Sequence, residues 1–401
     1  MLIKFRKPVI LGILFFLGLM LLLGAEIGRV FFIMPFPGSQ ESETIEVAYF
    51  IHTYINYFRI IGVLLIAYPA YYFLRYSKLW SKLIVAAFLI FWLSVAYLFN
   101  FKMRADKMFY QPESKRLVSV AENKIPKRQL VLGVNLKGES KAYPIEVIGY
   151  HHQVRDTVGG EPVMVTYCTV CRTGRVFRPL IDGQNEVFRL VGMDHYNAMF
   201  EDDKTGSWWR QVNGEAIIGP LKGRQLDEVP SEQMTLAAWI SRYPDTKILQ
   251  EDSVFKHEYE DLAKYDEGKK KGRLEGTDSV SWGDKSWVIG IQLGMEPRAY
   301  DWIELLQQKI VNDKLSSTSV LVAVESDSAT FHVWQRPDSL IFSLDEKYML
   351  MDDKTSSKWD WNGTCVEGKL IGTSLERVQS YQEYWHSWKT FRPQTTQYKI
   401  K

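Results

Sequence analysis

The chain has 401 residues, a formal net charge of +2 and 24% charged side chains, enough length for two soluble units of ordinary size. That near balance, with no long basic run, argues against nucleic acid as a partner. Three cysteines exclude a disulfide-dense scaffold, while 13 Trp and 21 Tyr suit membrane interfaces and β-rich cores.

Residues 1–102 read as a membrane region with three predicted transmembrane helices, at about 8–25, 47–74 and 83–101. The first and third runs are uncharged, and the second is long and apolar but interrupted by His52 and Arg59. Each approaches the roughly 20 residues needed to cross a bilayer. Lys4, Arg6 and Lys7 precede the first run, and Arg75, Lys78 and Lys82 fill the connection to the third. The first-to-second connection is acidic instead, with Glu26, Glu41, Glu43 and Glu46 against a lone Arg29. Basic loops stay inside, so the third span exits outward and carries the C-terminal region to the extracytoplasmic side of the inner membrane. Lys102, Arg104 and Lys107 run against that assignment. The first span also fits a signal peptide cut near LLLGAE. Arg59 calls for an intramembrane partner, Glu26 or Glu46, or else snorkels to the interface.

Beyond residue 103 the chain compares well with itself. GVNLKGESKAY from Gly133 lies over GIQLGMEPRAY from Gly290, and VRDTVGGEPVMVTYC from Val154 lies over VNDKLSSTSVLVAVE from Val311. DDKTGS from Asp202 matches DDKTSS from Asp352, and GPLKGRQL from Gly219 matches GKLIGTSL from Gly368. Two tandem homologous repeats are the expectation, at 117–250 and 283–395, joined by an exposed polar linker at 251–282. Within each, β-branched runs (130–136 and 163–167; 287–293 and 320–324) alternate with turn signals such as Asp182-Gly183, and an amphipathic segment near 234–242 reads as a helix. The expected class is α+β with antiparallel β dominant.

The comparison also sorts the motifs. Asp202, Asp203 and Thr205 recur as Asp352, Asp353 and Thr355, so they read as structural turns rather than as an acid/base or metal site. Cys168 and Cys171 in VTYCTVCRTG belong to the first repeat alone, as do His151, His152 and His195. Soft thiolates with imidazoles suit Zn, Cu or Fe. Cys168, Cys171, His151 and His195, with His152 as the alternative, are therefore candidate metal ligands. The same two cysteines are candidate redox thiols, with Arg172 and Arg175 favouring the thiolate. The bland alternative is a disulfide staple, and Cys365 reads as a packed small residue.

The string from RLVSVAEN through LVLGVNLKGESKAYPIEVIGYHHQVRDTVGGEPVMVTYCTVC, then DDKTGSWWRQVNGEAIIGPLKG, RYPDTKIL and KSWVIGIQLGMEPRAY, resembles a bacterial family known as domain of unknown function 3179. The resemblance covers 117–395. That family carries Pro-Leu between its cysteines and Gly after the second, where this chain has Thr169-Val170 and Arg172. His151 matches its histidine, with Arg155-Asp156 standing where an Asn-Asp pair is usual. The resemblance implies an extracytoplasmic or membrane-linked protein and brings no established activity.

The expected function is thus a membrane-anchored, outward-facing protein, in contact with the lipid bilayer, whose first repeat binds a transition metal or exchanges electrons. The alternative is a non-catalytic envelope module stapled by Cys168–Cys171. Its Trp208, Trp209, Trp359 and Trp361 would then touch an envelope protein or another ligand, or simply pack in the core.

Overall fold

The computed structural model describes residues 2–399, with side chains from residue 7 onward. The side chains of Lys4 and Arg6, used above for orientation, lie outside the described ones. Three long helices open the chain, α1 (Leu2–Phe31), α2 (Ile45–Tyr76) and α3 (Leu79–Phe101), and each is long and apolar enough to cross a membrane.

After them come β1 (Leu130–Leu136), β2 (Glu139–Pro144), α4 (Ile145–His151), β3 (Gln153–Val158), β4 (Glu161–Cys168) and β5 (Thr173–Phe177). A meander follows, β6 (Phe188–Asp194), β7 (Asn197–Asp202), β8 (Trp208–Arg210) and β9 (Ala216–Ile218), then β10 (Glu232–Thr235), α5 (Leu236–Arg242) and β11 (Lys247–Leu249). After α6 (Lys256–Asp261) the chain continues with β12 (Trp287–Leu293), β13 (Glu296–Asp301), α7 (Trp302–Gln308), β14 (Ile310–Leu315), β15 (Thr318–Val324) and β16 (Phe331–Gln335). A second meander, β17 (Phe342–Leu344), β18 (Leu350–Asp352), β19 (Lys358–Trp359) and β20 (Cys365–Glu367), leads to β21 (Ser380–Tyr384), α8 (Trp385–Phe391) and β22 (Thr396–Gln397). The class is mixed α+β, and the sheets are mostly antiparallel.

The chain forms two compact units. One comprises Met1–Tyr110, Phe188–Arg210 and Ala216–Arg224; the other comprises Gln111–Val187, Gln211–Glu215 and Gln225–Lys401. In the first unit, α1 and α2 approach through glycines. A Cβ on Gly62 would fall 2.5 Å from Leu22 Cγ, and one on Gly18 would lie 3.0 Å from the Gly62 carbonyl. Small residues allow this closeness where lipid removes the hydrophobic drive between helices. Further along, Glu26 is only 2% exposed and receives Arg59 Nε at 2.6 Å and Nη2 at 2.9 Å. Asn100 Nδ2 donates to the same carboxylate at 2.7 Å, and Asn100 Oδ1 accepts from Arg59 Nη2 at 2.8 Å. Arg29 Nη1 also donates to Asn100 Oδ1 at 3.0 Å, so all three helices contribute to this cluster. Of the two partners foreseen for Arg59, Glu26 is the one it meets; Glu46 lies 3.6 Å from Lys222.

The β6–β9 meander is seated on the ends of α1 and α2. Val191, Met199, Trp208 and Ile218 pack with Ile33 and Ala48, and Tyr49 meets Trp208 edge-on at 5.0 Å. Gly192 lets the backbones touch, because a Cβ there would fall 2.4 Å from the Ile33 carbonyl. Met193 N donates to that carbonyl at 2.6 Å, and His52 Nε2 lies 3.1 Å from Glu201.

In the second unit, β10, β1, β2 and β11 are neighbours in that order, the last pair parallel and the others antiparallel. β21, β12, β13 and β22 are joined in the same way. Each sheet carries a tryptophan over a glycine. A Cβ on Gly133 would meet the Trp239 ring at 2.3 Å, and one on Gly290 would meet the Trp388 ring at 2.3 Å. Beside these sheets lie β3–β4–β5 and β14–β15–β16, both antiparallel.

The first part of the segment expected to be an exposed linker, through about residue 266, differs from that reading, while 267–282 are exposed or half-buried. Phe255, Tyr259, Leu262 and Tyr265 are buried, and Tyr150 packs against Phe255 and Tyr259. Their spacing is helical, an apolar stripe hidden among charges.

Candidate functional site

Cys168 ends β4, in register with Thr173 of β5, and the connecting turn closes through Arg172 at φ +57°. Both cysteines are fully buried free thiols. Three carbonyls of the turn are taken. Tyr265 Oη donates to Thr169 O at 2.8 Å, Lys285 Nζ to Val170 O at 2.7 Å and Tyr384 N to Cys171 O at 3.0 Å. His386 Nε2 lies 3.2 Å from Val170 O. Ser387 donates to Glu383 Oε2 at 3.2 Å.

Burial pushes the Cys171 thiol well up, and the adjacent Cys168 pushes it further; Ser387 and the Lys285 ammonium pull the other way. Burial lowers Lys285 in turn, while the two sulfurs oppose that shift. His386 is pushed down to about 4, by burial first and then by Lys285.

The arginines expected to favour the thiolates are engaged elsewhere. Arg172 stacks 3.5 Å over the Trp287 ring and donates to Gln382 Oε1. Arg175 stacks 3.5 Å over Tyr381 and pairs with Glu383. Lys285 is the cation whose charge reaches the sulfurs.

The histidines take other partners. His151 Nε2 lies 2.6 Å from Tyr259 Oη, and His152 Nδ1 is 3.0 Å from Tyr150 O, with burial pushing His152 down to about 4. His195 belongs to the β6–β7 turn of the other unit, 2.7 Å from Asp194 and 3.6 Å from Glu43; the Asp194 hydrogen bond raises it. Among the described residues no group of three or more His, Cys, Asp or Glu is gathered as a metal would require.

Asp202 Oδ1 accepts from Thr205 N at 2.6 Å, and its Oδ2 accepts from Trp209 Nε1 at 2.9 Å. Asp352 accepts likewise from Thr355 N at 2.7 Å and Trp359 Nε1 at 3.2 Å. Asp203 and Asp353 are exposed. Trp208, Trp209 and Trp359 are buried and offer no contact surface; Trp361 is partly buried.

Sequence reasoning missed Lys285, Glu383, His386 and Ser387. One signal was available. Aligning Trp388 with Trp239 places His386 and Ser387 over Ala237 and Ala238, a polar pair where the first half has two methyl groups.

A second cluster was not foreseen. A cavity of about 900 Å³ is lined by Glu146, Asp266, Lys127, Arg128 and Lys264 among others. Glu146 accepts from Gln129 Nε2 at 2.6 Å and from Lys264 N at 2.9 Å. Burial, then the neighbouring Asp266 carboxylate, raises Glu146 to about 8. The folded chain therefore binds a proton there that the unfolded chain releases above about pH 4.5. This contribution to stability is complete below that pH and is lost as pH rises through about 8. Glu146→Gln is expected to raise the unfolding midpoint by several degrees above pH 8 and to change it little below pH 5. Equal shifts at both pH values would refute the assignment.

No curated protein and no solved structure matches the chain. A family model described as "Protein of unknown function (DUF3179)" matches residues 110–395. With that match over most of its length, the chain belongs to the DUF3179 family, joined here to three N-terminal helices apolar enough to span a membrane.

Proposed function

We propose that this is a membrane-anchored protein in which Cys168 and Cys171 form a dithiol–disulfide couple. The C-terminal region would lie on the extracytoplasmic side of the inner membrane, as the basic residues of the second-to-third connection suggest. The single observation carrying the reading is the pair of buried free thiols on one turn, whose intervening Val170 carbonyl accepts from Lys285 Nζ at 2.7 Å. Two thiols separated by two residues on one turn suit a local disulfide, and the neighbouring Lys285 ammonium eases thiolate formation. The matching element order of 130–249 and 287–397 supports tandem homologous halves, the second of which would close over the cysteine turn of the first.

A second reading rests on the same two sulfurs. Two thiolates without imidazole suit a soft monovalent ion such as Cu(I) better than tetrahedral Zn or Fe.

The test uses the full chain in detergent, with thiol counting, intact mass and elemental analysis under reducing and oxidising conditions. The dithiol reading expects Cys168 and Cys171 to lose two hydrogens together while Cys365 stays alkylatable. Stoichiometric metal with protected thiols, and no disulfide at any redox poise, would replace it with the metal reading.

A further inference from the structure

We infer that the end of the three-helix bundle on which the β6–β9 meander sits binds an anionic phospholipid, with Arg29 as the main ligand of its phosphate and Lys102 and Lys107 supplying further charge. The inference rests on the membrane-anchored part of the reading above. It is independent of the cysteines and of which side of the membrane this end faces.

The helices set the level. Lys7 Nζ lies 5.3 Å over the Tyr72 ring and marks the opposite end of the bundle. From Lys7 to Glu26 on α1, from Tyr76 back to Arg59 on α2 and from Trp80 to Asn100 on α3, the rise is roughly 26–30 Å at about 1.5 Å per residue, close to the hydrocarbon thickness of a bilayer. Exposed aromatic side chains mark both levels, Tyr71, Tyr76 and Trp80 at one and Tyr54, Tyr57 and Phe101 at the other. The Glu26–Arg59–Asn100 cluster therefore lies where hydrocarbon gives way to headgroups.

Cations are in surplus there. Arg29 Nη1 and Arg59 Nη2 donate to one neutral oxygen, Asn100 Oδ1, at 3.0 and 2.8 Å, while the Glu26 carboxylate is engaged by Arg59. Among the described residues Asn100 Oδ1 is the one hydrogen-bond acceptor that Arg29 reaches, so most of its N–H donors are unused. Arg29 is half-buried rather than sealed, which leaves those donors open to the surroundings. Arg104 is held by Asp106 at 2.9 and 2.8 Å, and Arg189 by Glu201, so these two are already compensated. Lys102, directly after α3, and Lys107 are exposed and have no acidic partner among the described residues. The acidic side chains of the α1–α2 connection do not offset them. Glu43 and Glu46 point into solvent, and Glu46 stands roughly 20 Å beyond Arg59 along α2, farther from the bilayer.

A phospholipid supplies what this end lacks. Its phosphate accepts paired N–H···O contacts from a guanidinium. Its acyl chains lie against exposed apolar side chains at the same level, Leu98 and Phe101 of α3. A free phosphate ion makes only the first of these contacts. The choline of a zwitterionic lipid adds a positive charge to a place already rich in them, so an anionic headgroup is favoured. Lys102 and Lys107, which run against the orientation drawn from basic loops, thereby acquire a role.

The test uses the full chain in dodecyl maltoside, with native mass spectrometry comparing retention of added phosphatidylglycerol and phosphatidylcholine. Wild type should prefer phosphatidylglycerol by about tenfold or more, and the preference should fall about fivefold for each cation removed. The variants are Arg29→Gln, which keeps an amide donor toward Asn100, and Lys102→Gln combined with Lys107→Gln. Both lysines are exposed, so that pair still reports if Arg29→Gln fails to fold. Equal retention of the two lipids by wild type, or an undiminished preference in the variants, would overturn the inference. Inorganic phosphate that displaces phosphatidylglycerol completely would also overturn it, leaving an ion site in place of a lipid site. Alkaline carbonate extraction of membranes from expressing cells tests the underlying reading separately. A chain released by carbonate does not span the membrane, and both readings fall; a chain retained but indifferent to lipid charge loses the lipid site alone.

Discussion

Replacing Glu26 or Arg59 singly with Leu is expected to destabilise the three-span region by about 3–5 kcal/mol, while the double replacement recovers most of the loss. Glu26 is almost completely buried, and its partners come from the other two helices, Arg59 and Asn100. Removing Arg59 takes two of the three hydrogen bonds from the buried carboxylate and leaves it the Asn100 amide, whose Oδ1 also accepts from Arg29 Nη1 at 3.0 Å. Removing the carboxylate strands a guanidinium that lies about a third exposed. Removing both leaves an apolar contact, because the desolvation cost and the attraction vanish together. Unfolding of the full chain in detergent, completed as a double-mutant cycle, measures the coupling. Single variants as stable as the wild type would show Arg59 to be solvated at the interface instead, and the pairing to be incidental.

The second large effect concerns the two glycine–tryptophan contacts. Gly133→Val and Gly290→Val are each expected to cost about 3 kcal/mol or more, by overpacking a ring that has nowhere to go. Trp239 is tied by its indole N–H to Thr246 Oγ1 at 2.8 Å, and Trp388 to Thr395 Oγ1 at 2.7 Å. The new side chain would begin 2.3 Å from either ring. Trp239→Leu should relieve Gly133→Ala while costing stability in the wild-type background, a sign change that mere strand propensity does not produce. Thermal unfolding of the two Val variants, of Gly133→Ala and Trp239→Leu, and of their double variant decides it. If Gly133→Val melts with the wild type, the rings tolerate displacement and the contact is not what fixes α5 on its sheet.

What could be read in advance was whatever short-range physics writes along the chain. The three spans show as apolar length, and Asp202 with Thr205 shows as a turn whose hydrogen bonds lie within five residues. The cysteine turn was visible as a motif, but its surroundings were not. Lys285 and Ser387 lie more than a hundred residues away, brought in by the packing of β21 and α8. His151 ends a helix whose side chains face Phe255 and Tyr259, which no spacing from Cys168 determines. The buried stripe of 255–265 was masked by the lysines and glutamates between its members.

The seat of the β6–β9 meander changes where this protein can be cut. Trp208 and Ile218 are cross-strand neighbours whose face is covered by α1 and α2, whereas the corresponding neighbours of the second meander are Lys358 and Glu367. The second meander is made to meet water and the first is not. A truncated protein beginning after Phe101 would bring Val191, Met199, Trp208 and Ile218 into solvent as one contiguous sticky patch. The helices therefore cover an apolar face of a meander that comes more than eighty residues later in the chain, and no single cut point separates the two compact units.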